Sequence, residues 1–258
     1  VIFGAHTHHV FEHGRLENNV LLTGGGKFGQ YIGQLEMEYD HSTQSLTGKK
    51  DRLYENALLP EVTNEAEWLI QLQKEAKLIL DEPVFTLTKS YNKEWFHRSQ
   101  LSDLFAECMY DYTKADCLMF NAGIFVDKLP KGQISTYDIH KILPHPINIC
   151  VVQITGSELK EIFLQSENEE WSRLELKGLG FRGNIFGKIL NYGIEITKQR
   201  ELFINGHLME PDKVYRLATL DLFTFGYFFP SFKYAKKEYY LPDFIRDVFK
   251  SYCMKKFQ

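Results

Sequence analysis

Apolar residues recur along this chain at two spacings. Between Thr63 and Pro83 the positions Trp68, Leu69, Leu72, Ala76, Ile79 and Leu80 fall three and four apart, which gathers their side chains on one stripe of an α-helix. Thr63 is the N-cap candidate, and Pro83 ends the segment because proline offers no N–H and clashes with the preceding turn. Leu101, Leu104, Phe105, Cys108 and Met109 repeat the spacing and predict a helix over 99–113. Further helices are predicted over 136–142, 157–165 and 243–254. Strands are predicted over 1–3, as the end of a buried strand, and over 20–23, 31–39 and 45–54, with the clearest alternation in 31–39 and with Gly48 as a turn or bulge. Four more cover 85–88, 117–120, 149–154 and 214–220. Strands alone fill the first part of the chain, and strands alternate with helices after residue 85, which is an α/β or α+β pattern.

Composition changes this picture little. The 258 residues are 44% hydrophobic and 25% charged, globular usage that supplies a packed core and excludes a disordered chain. A formal net charge of -4, without a long Lys/Arg run, excludes the basic stripe that a nucleic-acid polymer requires. No apolar run reaches the roughly 18 residues of a membrane span. The chain opens at Val1 with neither an initiator Met nor a charged leader, and is read as beginning inside a longer protein. Cys108, Cys117, Cys150 and Cys253 form no CxxC or zinc pattern. They are read as buried free thiols, which favours a reducing, cytoplasmic compartment.

Candidate chemistry begins in the first loop. Gly4-Ala5-His6-Thr7-His8 sets two imidazoles one residue apart after a strand, where they can be aimed at one metal ion or at two adjacent ones. Taken alone, the pair is read equally well as surface histidines. The segment resembles the late Gly-Gly-His-Thr-His motif of calcineurin-like metallophosphoesterases, with Ala5 in place of the second glycine. That resemblance implies His6 and His8 as ligands to two divalent ions, Mn, Zn or similar, while His9 and His13 match no ligand position. The run LLTGGGKFGQYIGQL at 21–35 resembles the family's following strand pair, so the match spans 1–40. The family's earlier motifs, an Asp-x-His pair, a bridging Asp, an Asn and an Asn-His-Glu or Asn-His-Asp element, do not occur. A two-metal hydrolase needs that set to hold both ions and generate a hydroxide.

From about Trp95 onward the chain resembles the C-terminal domain of 5'-nucleotidases and UDP-sugar hydrolases. The resemblance is carried by Ser99-Gln100-Leu101-Ser102-Asp103-Leu104, by 115–123 (ADCLMFNAG), by Leu129-Pro130-Lys131-Gly132-Gln133-Ile134-Ser135 and by 153–160 (QITGSELK). Arginines that neutralise an anion, two rings that sandwich a base and polar groups that hydrogen-bond it are the family's substrate contacts. Carried over residue by residue, Asn121 retains the family's Asn. The arginine of Gly-Ile-Arg falls on Val126, and an upstream arginine falls near Trp95. His145 stands for the first stacking Phe, and Ile147 for the Asn two positions on, with Asn148 beside it. Leu222 and Phe228 stand for the second Phe and a late Asp. Phe223 and Phe225, with Tyr227, Phe228 and Phe229, form either a replacement stacking wall or core. Arg182 and Arg98 are alternative anion contacts or solvated charges, and His145 lines a pocket or acts as a catalytic acid.

The resemblance therefore implies a metallophosphoesterase β-sandwich tail over 1–60, a connecting helix and linker over 61–94, and a 5'-nucleotidase C-terminal αβ domain over 95–258. It implies that the parent is a metal-dependent phosphoric ester hydrolase of nucleotide catabolism, acting on a nucleotide or other small phosphate ester. This chain, lacking the N-terminal catalytic segment, is expected to be inactive alone and open to self-association. The alternative is a non-catalytic binding or interaction module on the same fold.

Overall fold

The computed structural model describes residues 1–60, 67–176 and 178–257. Packing divides the chain into two units, Val1–Gln71 with Lys177–Leu179 and Leu72–Leu176 with Gly180–Gln258. The expected cap Thr63 lies outside the described residues.

In the smaller unit, β1 (Ile2–Phe3), β2 (Arg15–Glu17) and β3 (Val20–Thr23) form a three-stranded sheet in the order β1-β3-β2. A long antiparallel hairpin joins β4 (Tyr31–Asp40) to β5 (Ser45–Glu55). Its register shifts where Glu38 faces Gly48 and Tyr39 faces Leu46, leaving Thr47 as the bulged residue beside the expected glycine. One expectation fails here. Pattern predicts a buried strand over 1–3, yet Ile2 and Phe3 are 55% and 74% exposed, because this two-residue strand pairs with β3 alone. The alternating run of β4 likewise forms its strand with no residue buried.

Helix α1 (Glu67–Leu80) carries the predicted apolar stripe, and none of its residues is buried. Trp68 and Ile79 are 66% and 67% exposed. Periodicity decides that these side chains share a face, whereas burial needs a second surface to cover it.

The larger unit contains β6 (Pro83–Leu87), α2 (Gln100–Thr113), β7 (Cys117–Asn121), β8 (Gly132–Ser135), α3 (Thr136–Ile142), β9 (Asn148–Thr155) and α4 (Gly156–Ser166). It continues with β10 (Ile189–Tyr192), β11 (Ile194–Ile196), β12 (Leu202–Ile204), β13 (His207–Leu208), β14 (Val214–Leu220), β15 (Lys236–Phe244) and α5 (Ile245–Phe257). Ser99, Ser135 and Thr155 each begin a helix with a reciprocal capping box, their side chains accepting from the N–H of Ser102, Asp138 and Glu158. Each box satisfies two of the donors that a helix start leaves open.

A five-stranded sheet in the order β10-β7-β14-β9-β15 forms the centre, with β14 parallel to β7 and its other pairs antiparallel. Tyr192 of β10 donates to Asp103 of α2, and the adjacent Asn191 donates to Ser166 at the end of α4. Neighbouring strand residues point to opposite faces, so α2 and α4 cover opposite sides of the sheet. Phe105 joins the α2 layer together, packing on Phe120 of the sheet and on Phe249 of α5 at ring separations of 5.1 and 5.8 Å.

Phe105 is fully buried, whereas Leu78 on α1 is 80% exposed. Phe105→Ala is therefore expected to destabilise the larger unit by about 3–5 kcal/mol, while Leu78→Ser changes it by under about 0.5 kcal/mol. Urea unfolding followed by tryptophan fluorescence measures both.

Candidate functional site at one end of the sheet

The predicted residues of the larger unit converge where β7 and β14 end and β9 and β10 begin. In an open α/β sheet, the carboxyl ends of parallel strands are the usual place for ligands. Asn121 is the last residue of β7, and Asn148 the first of β9. His145 lies in the segment leading into β9, Arg182 lies in the loop before β10, and Phe223 and Phe225 lie in a 3-10 turn after β14.

Close packing fills this end. The His145 ring stacks on Phe181 with centroids 5.0 Å apart and planes 9° apart, and Phe186 stacks on Phe228 at 4.5 Å and 14°. A base sandwiched between two rings needs two stacking distances, about 7 Å, so neither pair leaves room for one. Phe223 is fully buried against Phe186, Phe228 and Phe229. Of the two readings of the aromatic run, Phe223, Phe228 and Phe229 are core, while Phe225 and Tyr227 are 60% and 83% exposed.

The polar side chains mostly hold backbone. Asn121 is fully buried; its Nδ2 donates to the Phe186 carbonyl at 2.8 Å, and its Oδ1 has no partner among the described residues. His145 Nε2 donates to the Ile124 carbonyl at 2.7 Å, and Nδ1 accepts from the Arg182 N–H at 2.8 Å. Burial drives its pKa down to about 4, with Arg182 and Arg246 adding to the fall against the pull of the Ile124 carbonyl. A neutral imidazole with both nitrogens engaged by backbone has no proton to give, so the catalytic-acid reading of His145 is corrected to a structural brace. Asn148 Nδ2 donates to the Asp243 carbonyl at 2.7 Å. Arg182 is half-buried, and its guanidinium donates to the Phe181 carbonyl at 3.3 Å. Trp95 and Val126, where the family has arginines, are tied to the Phe125 and Ile142 carbonyls.

Sequence reasoning misses Asp221. It directly follows β14, accepts from the Asn148 N–H at 3.2 Å, and is pushed up to about 6 by burial against that bond and one from Leu222. Its position at the end of a strand parallel to β7 is the available signal.

In the smaller unit, the histidine loop is held by the bond from the His8 N–H to the Ala5 carbonyl at 3.0 Å, with His8 at φ 56°. That left-handed conformation is unusual for a residue with a Cβ. Thr7 is hydrogen-bonded to His9 Nδ1 at 2.7 Å.

The model of the 5'-nucleotidase C-terminal domain matches residues 80–234. The chain belongs to this family. It is 35% identical over 268 residues to the uncharacterized metallophosphoesterase YunD of Bacillus subtilis, an alignment that covers 96% of this chain and 56% of that protein. The chain thus spans little more than half of that relative's length. A Staphylococcus aureus protein assigned as a 5'-nucleotidase, solved in complex with alpha-ketoglutarate, matches with a TM-score of 0.69 and 15% identity over 97% of this chain and 52% of its own. A 5'-nucleotidase precursor from Thermus thermophilus matches with a TM-score of 0.58 and 16% identity over 92% and 49%. At these identities, both likenesses speak for the fold.

Metallophosphoesterases use divalent metals, so the donor set of this chain can be compared with that need. His6 and His8 are two imidazoles, and among the described residues no group of three or more His, Cys, Asp or Glu side chains is placed to hold an ion. Two imidazoles do not by themselves fit a two-metal centre. No helix among the described residues is long and apolar enough to cross a membrane.

His145 and Asp221 have opposite pH signatures. The lowered His145 pKa contributes stability that is present above about 6.5 and lost as pH falls toward 4. The raised Asp221 pKa contributes stability that is present below 3.8 and lost as pH rises through about 6. Between about 4 and 6 the two slopes cancel. Asp221→Asn is therefore expected to steepen the rise of stability with pH in that window by about 1.4 kcal/mol per pH unit relative to the parent chain. Urea unfolding at pH 4.5, 5.25 and 6 measures it, and parallel curves for the two proteins would refute the pairing.

Proposed function

We propose that the intact protein is a metal-dependent phosphoric ester hydrolase of the 5'-nucleotidase type, and that this chain supplies mainly its substrate-recognition part. The observation that carries this reading is the match of residues 80–234 to the 5'-nucleotidase C-terminal domain. The likeness to YunD over 96% of the chain supports it. In the same proposal, residues 1–60 are the end of the metal-binding domain, 61–94 connect, and 95–258 bind substrate. His6 and His8 are ligands to two divalent ions of the Mn or Zn kind, completed by groups outside this chain. The chemistry such ions would supply when bound is charge neutralisation at a phosphate ester and a lowered pKa of water.

Asn121, with its unpaired Oδ1, is the best-supported substrate contact, and Asn148, Arg182, His145 and the exposed Phe225, which belong to the same end of the sheet, are the further candidates in this proposal. The filled ring pairs favour a small phosphate ester other than one held by base stacking. They equally favour the second reading, a non-catalytic module that kept the fold. The four buried free thiols support a cytoplasmic protein, and the exposed β1 and β4 side chains support self-association.

The purified chain is expected to show no hydrolysis of 4-nitrophenyl phosphate with Mn or Zn beyond that of a His6→Ala, His8→Ala control. Metal-dependent turnover that the double variant loses would overturn the reading that it is inactive alone. Losing a base-stacking contact weakens binding by about 1–3 kcal/mol. Adenosine monophosphate is accordingly expected to bind the sheet end no more tightly than ribose 5-phosphate, measured by titration calorimetry with Asn121→Ala as the site control.

A further inference from the structure

The larger unit holds a second polar recess, on the α4 side of edge strand β10. A cavity of about 250 Å³ lies among Arg98, Glu167, Lys188 and Asn191. An adjoining cavity of about 230 Å³ shares Phe96, His97, Glu167 and Lys188 with it and extends to Arg173. Neither is lined by His145, Arg182 or the aromatic residues that fill the sheet end.

We propose that this recess binds a phosphate monoester flanked by hydroxyl groups, the chemistry of a sugar phosphate. Its cations are oriented. Arg98 donates one bond to the Asn191 carbonyl, and its guanidinium lies 4.2 Å from the centroid of the Tyr192 ring. The side chain is nevertheless exposed, and a guanidinium has five N–H donors in a fork that matches phosphate oxygens. Lys188 lines the same recess, 3.2 Å from Glu167. Arg98, Lys188 and Arg173 outnumber the carboxylates of Glu167 and Glu169 in the walls, three to two.

The need for a hydroxyl comes from Asn191, only 7% exposed. Ser166 Oγ donates to the Phe163 carbonyl at 2.7 Å, so its one hydrogen is engaged. Ser166 Oγ can then only accept from Asn191, which fixes Nδ2 as the atom 2.9 Å away and leaves Oδ1 as the other end of the amide. That Oδ1 is buried and has no partner among the described residues. A buried acceptor without a donor is costly; Asn191 lines the recess, and if its side chain turned outward a ligand hydroxyl beside an Arg98-bound phosphate would supply one. The proposal goes beyond the hydrolase reading and does not rest on it, since it concerns binding by this chain without catalysis.

Calorimetric titration of the purified chain with ribose 5-phosphate is expected to give saturable binding that persists in Asn121→Ala, the control that removes any contribution of the sheet end. Arg98→Gln should weaken it by about tenfold or more and Lys188→Gln by about threefold or more, whereas Lys198→Gln, outside the recess, leaves it unchanged. Inorganic phosphate should bind more weakly than the sugar phosphate. No saturable binding at millimolar ligand, or binding indifferent to both recess variants, would overturn the site. Equal affinity for inorganic phosphate would overturn the role given to Asn191. Should Arg98→Gln unfold the chain, as read by its thermal melt, Lys188→Gln decides alone, because its surface ion pair adds little to stability.

Discussion

The end of the larger unit's sheet where β7 and β14 finish depends on one close approach of backbone to backbone. A Cβ on Gly123 would lie 2.0 Å from the Ile185 carbonyl oxygen and 2.3 Å from that of Phe186. The Gly123 N–H donates to the Phe186 carbonyl, and the Asn121 side chain reaches the same oxygen. Gly187, at φ 74°, completes the clamp, since a Cβ there would meet the Gly123 nitrogen at 2.5 Å. Only residues without a side chain allow two strands of backbone this close. The position of Phe186 is set by that clamp.

Once Phe186 is fixed, the surrounding rings follow. It stacks on Phe228 and packs edge-on against Phe223, while Trp171 meets Phe228 and Phe229 edge-on. Such pairs contribute about 0.5–1.5 kcal/mol each beyond the area they bury. On the other side, Phe181 stacks on His145, which ties the turn after β7 to the loop before β10 through its two nitrogens. A charge on that ring would lose its solvation and one of these bonds, which is why the imidazole stays neutral at pH 7. The sheet end is thus stabilised by its own side chains.

The smaller unit and α1 show the opposite condition. Ile2, Phe3, Trp68 and Ile79 are all more than half exposed. Exposed apolar surface of this kind marks places where another surface packs or where chains associate. The buried thiols behave differently again, since burial raises the pKa of each and leaves them inert packing groups.

Much of this architecture was legible in the chain itself, because local patterns obey local rules. The stripe from Leu101 to Met109, the run 214–220, the bulge beside Gly48 and the ordered motifs from Ser99 to Lys160 placed helices, strands and family without reference to distant residues. The Ser99, Ser135 and Thr155 capping boxes are equally local signals. Strand β15 was not legible, because an edge strand containing Pro242 and several exposed residues lacks the alternation of a half-buried one. Nor could spacing show that α1 would keep its apolar face in solvent, that His145 would spend both nitrogens on backbone, or that Phe186 would meet Phe228. Elements and family could be read from neighbouring residues, since periodicity and motif order are local properties. Which side chains line a recess and which fill one was settled in three dimensions, because that depends on backbone approaches such as Gly123 to Ile185 between segments more than sixty residues apart.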